Sequence, residues 1–241
     1  TQPTAVIVTA QKREERASDT PLSLSVLTGE TLQATGATQL SDFAATVPGL
    51  SFTSNGVGQG QVNLRGVTTG LNVSPTVGIY VDEVPYGSST SFAGAAQLAL
   101  DVGLFDIERV EILRGPQGTL YGRNATGGAI NVIPRKPDLG KFGGEIRAEY
   151  GNYDSKKASA ALNLPIGETA ALRIAGQVVD RDGFLTDGYN DERGEGLRAS
   201  FLIEPSADWS VLVVGDYFNQ HGKGWGSVLL PSATLNAPDL N

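Results

Sequence analysis

The chain has 241 residues, enough for one large or two modest domains, and its 31 glycines, 18% charged and 40% hydrophobic residues are a turn-rich β composition that excludes a helical bundle. A net charge of −8 without a basic run repels phosphate-rich partners and excludes nucleic-acid binding, while the absence of cysteine excludes disulfides, thiolate zinc sites and cysteine nucleophiles. The single histidine, His221, removes most histidine chemistry, and residues 66–81 and 84–100 are too broken by Gly, Ser, Thr and Pro to form membrane-spanning helices, so any bilayer crossing must use a barrel. With no methionine, no apolar leader and Thr1 as its first residue, the chain is expected to be a mature, exported form.

Along the chain, Thr4, Ala5, Val6, Ile7, Val8, Thr9 and Ala10 make a short β-prone run before the charge-dense Gln11 to Arg16, predicting an extended, detachable tail. Thr28-Gly29-Glu30-Thr31 opens a short helix that Gly36 ends. A second helix is predicted over Thr38 to Val47, with Leu40, Phe43, Ala44 and Val47 on one face and Pro48-Gly49 as its stop. Strands are expected at Gln61 to Arg65, Val77 to Val81, Ile107 to Leu113 and Ala129 to Ile133, giving a small α+β domain. Polar connections at 51–60, 67–76 and 85–97, with Asn55, Gln59, Asn72, Tyr86 and Ser89 among their side chains, are candidate binding loops, and equally fit plain surface loops.

After Pro134-Arg135-Lys136-Pro137 the pattern becomes strict alternation. Ile146, Ala148 and Tyr150 oppose Glu145, Arg147 and Glu149, and four further segments follow at Ala158 to Leu164, Leu172 to Val179, Leu197 to Glu204 and Trp209 to Tyr217. Alternation alone also fits a soluble sheet with one wet face, as in a secreted β-rich adhesin or glycan-binding protein. The tight links 165–168 and 205–208 against the long acidic link 181–195 favour an outer-membrane barrel, although 151–155 is a short exception. Trp209 and Tyr217, about 19 Å apart along a tilted strand, suit an aromatic girdle. A passive porin has no use for some 135 residues of α/β pattern ahead of its first strand.

The run Phe105-Asp106-Ile107-Glu108-Arg109-Val110-Glu111-Ile112-Leu113-Arg114-Gly115-Pro116, continued by Gly118 to Gly122 and by Gly127 to Ile133, resembles the plug signature of TonB-dependent receptors. Pro48-Gly49-Leu50, Asn63-Leu64-Arg65-Gly66 and Tyr80-Val81-Asp82-Glu83-Val84-Pro85 join it in the expected order, so the resemblance covers essentially the whole chain. Two departures stand out: Asp82-Glu83 where many members carry Asp-Gly, and Arg123-Asn124-Ala125-Thr126 where many carry Ser-Gly-Ala. The resemblance implies an α+β plug domain at 17–136 behind a TonB box and flexible tail at 1–16. Residues 137–241 would then be the first five antiparallel transmembrane strands of a barrel of about 22, the rest lying outside this chain.

By the same resemblance, Thr4 to Ala10 correspond to the TonB box, and a β-prone tail is suited to adding a strand to a partner sheet. Only three residues precede the box, so an additional signalling domain is expected to be lacking. Arg65 and Arg114 match plug arginines that face barrel glutamates and lock the plug, while each also suits the bracing of its adjacent glycine turn. The implied partners are TonB with its inner-membrane energising complex, outer-membrane lipid, and a large scarce solute. Ferric siderophore is the family default, with cobalamin or an oligosaccharide fitting the polar loops as well. No cofactor, metal or catalytic residue is implied. Gly56-Val57-Gly58-Gln59-Gly60 lacks dinucleotide-fingerprint spacing, and Asp180-Arg181-Asp182-Gly183 with Asp187, Asn190 and Asp191 fails the EF-hand pattern and reads as a solvated acidic loop. His221 reads as a surface histidine.

Overall fold

A computed structural model describes residues 6–37, 39–56, 59–68, 74–87 and 104–223, with the side chains at 54–59 outside the description. A short ribbon, β1 (Ile7–Val8) against β2 (Glu15–Arg16), leads into β3 (Ser23–Thr28) and α1 (Gly29–Ala34). Thr28 caps α1 by accepting the Thr31 amide at 3.2 Å, satisfying one of the orphan donors of the first turn. In α2 (Leu40–Ala44) the Asp42 carboxylate accepts the Gln39 amide at 2.9 Å, and Leu40, Phe43, Ala44 and the following Val47 are all buried as their spacing predicts.

A five-stranded mixed sheet forms the centre of this half of the chain. It orders β3, β8 (Ile107–Arg114), β9 (Gly128–Pro134), β6 (Val77–Val81) and β7 (Val84–Pro85), with the β6–β9 pair parallel and the others antiparallel. One sheet face packs Val110, Ile112, Ile130 and Val132 against the helices. The other packs Leu113, Ala129 and Tyr80 against Tyr121 of α3 (Gly118–Tyr121) and against the tail. Each fully buried aliphatic side chain here contributes roughly 1.5–3 kcal/mol.

Three local expectations change. Residues 51–56 and 59–60, within the stretch 51–60 expected as a polar connection, belong to the paired strands β4 (Leu50–Gly56) and β5 (Gln59–Leu64), because Leu50, Val62 and Leu64 seat one face on the helix-side core. Strand β3 lies in a stretch for which no strand was predicted; its alternating serines and aliphatics make an edge strand. The link expected at 181–195 shortens to 182–191, since strand pairing continues through Arg181↔Glu192.

The family departure at Asp82-Glu83 also has a structural account. Both residues take left-handed backbone, φ 47° and 68°, in the two-residue turn joining β6 to β7, a conformation that favours glycine. Glu83 is held there by its amide donating to Asn131 Oδ1 at 3.2 Å and by its carboxylate pairing with Lys12 at 3.1 Å. Asn124, φ 66°, sits in the second departure and is a residue type that tolerates this region.

From Gly143 the chain is a meander of five antiparallel strands, β10 (Gly143–Gly151), β11 (Ser155–Ile166), β12 (Ala170–Arg181), β13 (Glu192–Ser206) and β14 (Trp209–His221). Register aligns Leu162 with Ile174 and Ala199, and Leu172 with Phe201 and Val213, so that one face is continuous apolar surface. That face is bare: Ile146 is 87% exposed, and Val213, Trp209 and Tyr217 are exposed with it. The other face carries Glu145, Arg147, Ser159, Gln177, Arg173, Arg198 and Asp216, and it meets the mixed-sheet half of the chain.

Candidate functional site

Three sets of contacts make the N-terminal half and the meander one arrangement, and each is set by local backbone geometry. Asp106, with φ 54°, stands just ahead of β8, and its carboxylate receives two bonds from Arg173 on β12, the Nε bond at 2.6 Å. Both side chains are largely buried. A planar fork on a carboxylate fixes orientation as well as distance, so this pair pins the sheet to the strand wall. Beside it, Phe105 lies under the Arg198 guanidinium at 5.5 Å, and Arg198 in turn holds Asp216 at 2.6 Å. Gly196 makes this approach feasible: a Cβ there would sit 2.9 Å from the Phe105 ring. Further out, Gln33 donates to Glu145 at 3.3 Å and Gln39 to Glu192. A cleft of about 70 Å³ lies between α1, with Ala37 and Gln39 after it, and the strand wall at Glu145, Arg147, Lys157, Gln177 and Gln220.

The tail residues described begin at Val6 and are docked along the sheet face opposite the helices. Val6 and Ile7 are exposed, whereas Val8 and Ala10 are fully buried among Tyr80, Leu113, Tyr121 and Ala129. The Thr9 amide donates to Glu111 Oε1 at 2.8 Å, and the Tyr121 hydroxyl donates to the Ala10 carbonyl at 3.3 Å. The Lys12 ammonium lies 4.7 Å from the Tyr121 ring centre. Thr4 and Ala5 lie outside the described residues.

Burial pushes the hydroxyls of Tyr80 and Tyr121 up from their ordinary value near 10, with the Glu111 and Glu83 carboxylates adding to the effect at Tyr121. An acid whose ionisation is disfavoured only in the folded state leaves stability intact below the unfolded value and loses it as pH rises from there through the raised one. Stability is therefore expected to fall as pH climbs past about 10, with Tyr121→Phe flattening that decline. Thermal melts of the two proteins from pH 8 to 11 check this, and parallel curves would refute it.

Arg65 and Arg114 come together at the edge of the mixed sheet. The Arg65 Nη2 donates to Ser23 Oγ at 2.7 Å, and Arg114 donates to Ser25 Oγ and, at 3.1 Å, to the Pro48 carbonyl. Among the described residues neither guanidinium forms an ion pair, and the Arg114 Nε is buried without a partner. Of the candidate loop side chains, Tyr86 is described. It is half-buried, and burial together with the Asp216 carboxylate pushes its hydroxyl up, partly offset by Arg198. The side chains of Asn55 and Gln59, and all of Asn72 and Ser89, lie outside the described residues.

Sequence reasoning missed Asp106, Arg173, Glu111 and Tyr121. The signal for Glu111 was available: Arg109 and Glu111 sit two apart in a strand and therefore share a face, and Glu111 is flanked by Val110 and Ile112, which marks a compensated buried pair. No local signal marks Asp106 and Arg173 as partners, since they are 67 positions apart.

A compact α+β unit seated on the polar face of a strand wall whose other face is bare and apolar defines a plug-and-wall class of membrane protein. Residues 16–129 match the TonB-dependent Receptor Plug Domain family. The chain is 33% identical over 201 residues to the pesticin receptor of Yersinia pestis, covering 81% of this chain and 28% of that protein. It is 30% identical over 203 residues to the vitamin B12 transporter BtuB of Vibrio cholerae, covering 80% and 31%. Among solved structures it superposes on the ferric yersiniabactin uptake receptor FyuA of Yersinia pestis with TM-score 0.66 at 28% identity, over 79% of this chain and 30% of that one. The ferripyoverdine receptor of Pseudomonas aeruginosa shares the fold, with TM-score 0.75 at 19% identity over 89% and 27%. The chain belongs to the TonB-dependent receptors of the outer membrane, a family of receptors and transporters and not of enzymes. It spans about three tenths of the length of these curated relatives, 28% and 31%.

Proposed function

We propose that this chain is the N-terminal part of a receptor that imports a large, scarce solute across the outer membrane, driven by TonB. The observation that carries the reading is the tail: a β-prone segment whose exposed Val6 and Ile7 lead directly into residues seated on the plug sheet. A partner that adds a strand to Thr4 to Ala10 has its main-chain bonds for affinity and the alternate side chains for specificity. Pulling there would be transmitted to the plug, because the next residues are bonded to β8.

In this reading 1–16 are the TonB box and tail, 17–136 the plug, and 137–241 the first strands of a closed barrel of about 22, since an open strand edge cannot remain in lipid. Arg65 and Arg114 would lock the plug through glutamates of the barrel beyond this chain; their lack of an ion pair among the described residues supports that assignment. Solute would settle on the β4–β5 stretch at 51–60 and on the connections at 67–76 and 85–97, with Asn55, Gln59, Asn72, Tyr86 and Ser89 as contacts. A ferric siderophore is the favoured cargo, supported by 28% identity to a ferric yersiniabactin receptor, with cobalamin the alternative suggested by 30% identity to BtuB.

Deleting residues 4–10 from the full-length receptor is expected to abolish uptake and leave ligand binding intact. Growth under iron limitation on a panel of ferric siderophores, alongside cobalamin-dependent growth, identifies the cargo. Uptake of that cargo by the deletion strain at the unaltered rate would rule the mechanism out.

A further inference from the structure

Glu111 is a carboxylate with no exposure at all, in the middle of a strand whose neighbours on both sides are buried and apolar. Burying a charge requires compensation, and Arg109 supplies it through Nε at 2.8 Å from Oε1. That same oxygen also receives the Thr9 amide at 2.8 Å and lies 3.4 Å from the Thr9 hydroxyl, while Arg109 Nη2 reaches the Thr9 hydroxyl at 3.4 Å. The pair is thus turned toward the tail, not toward the sheet, and Oε2 has no hydrogen-bond partner among the described residues. On either side of Thr9, Val8 and Ala10 are sealed from solvent, yet one residue further toward the N-terminus Ile7 is exposed.

From this arrangement we infer that Glu111, balanced by Arg109, is the positioning residue that holds the tail to the plug at Thr9, two residues from the exposed Ile7 side chain. A bond from a charged oxygen to a main-chain amide suits that role, because it does not depend on which side chain the tail presents. It is also aligned for transmission. Glu111 belongs to β8, and β8 is preceded directly by Asp106, whose carboxylate is held by Arg173 of the strand wall. Tail, anchor, strand and wall are therefore joined by charge-assisted bonds. The inference deepens the TonB-driven reading and rests on it for its purpose, though not for its test.

The test uses the full-length receptor in isolated outer membranes that contain no TonB, carrying Ala10→Cys as its single thiol and a maleimide as probe. With Glu111 present, Cys labelling is expected to be slow. Glu111→Leu is expected to raise the labelling rate about tenfold or more, as local opening replaces a closed anchor. Glu111→Gln, whose amide oxygen still accepts from Thr9, should restore most of the protection. Thr9→Pro removes the amide donor, together with the hydroxyl that lies 3.4 Å from both members of the pair, while leaving Glu111 and Arg109 bonded to each other, and it should match Glu111→Leu, which keeps the test valid if the leucine variant fails to fold. Tryptic resistance of the plug reports folding in each variant. Unchanged labelling in Thr9→Pro, or in a folded Glu111→Leu, overturns the anchor. Because no TonB is present, that failure is separate from failure of the uptake experiment, which tests transport alone.

Discussion

Replacing Asp106 with alanine is expected to loosen the plug from the strand wall more than any exposed substitution, by about 3–5 kcal/mol. The magnitude follows from burial. The Asp106 carboxylate is 4% exposed and the Arg173 side chain 13%, so removing the carboxylate leaves a largely buried guanidinium without its bonded partner, with only the Glu145 and Asp138 carboxylates acting on it through space. Arg173 cannot relieve the loss by deprotonating, because guanidinium remains charged throughout the accessible pH range. Neutralising both partners should cost less than either alone. The measurement is a double-mutant cycle on the full-length receptor, Asp106→Ala and Arg173→Leu, following the urea concentration at which the plug becomes sensitive to trypsin. Asp208→Ala, on an exposed turn, serves as the control. An Asp106→Ala midpoint equal to that control would mean the pair contributes nothing to seating.

Gly128→Ala is expected to prevent accumulation of folded receptor. A Cβ at this position would lie 2.2 Å from the Leu113 carbonyl oxygen and 2.6 Å from Leu64 Cδ1, and φ of 150° is one that L side chains rarely adopt. The carbonyl belongs to the adjacent strand and takes part in the β8–β9 pairing, so it cannot rotate away as a side chain would. Backbone strain of about 1–3 kcal/mol adds to overpacking of about 1–3 kcal/mol, for a total of about 2–6 kcal/mol that a small plug can scarcely sustain. Gly118→Ala, where a Cβ meets no atom within 4 Å, provides the contrast. Immunoblots of outer-membrane fractions with and without trypsin compare the two; equal amounts of protease-resistant plug would refute the steric argument.

The two substitutions mark how far local reading reaches. Helix α1 and the buried face of α2 were legible because a capping threonine and a recurrent apolar spacing act within one or two turns of backbone, although α2 spans only Leu40–Ala44 of the predicted Thr38 to Val47 and ends ahead of Pro48-Gly49. The meander was legible because period-two alternation is imposed by the strand itself, and the structure places Ile146, Leu162, Leu172 and Val213 on the bare face that alternation assigns them. The strand at Gln61 to Arg65 was legible, but 51–60 was read as a connection because its Ser, Thr, Asn and Gly content carries the local signals of one; the seating of Leu50, Val62 and Leu64 on the helix-side core makes β4 and β5 a strand pair. The tail was read as extended and detachable from its β-branched run, whereas its burial at Val8 and Ala10 depends on a pocket formed by Tyr80, Leu113 and Tyr121, contributed by distant segments.

What the sequence determined by itself is the grammar of the molecule: where strands alternate, where helices begin and stop, and, through the run from Phe105 to Pro116, the family. Tertiary structure alone decided which partner each buried carboxylate meets. Asp106 and Arg173, or Thr9 and Glu111, become partners only after separate elements have packed, because a carboxylate's local neighbours say nothing of which cation the fold will bring to it. Periodicity is written in adjacent residues, whereas an ion pair across 67 positions, or an amide-to-carboxylate bond across 102, is a property of faces that exist only in the folded chain.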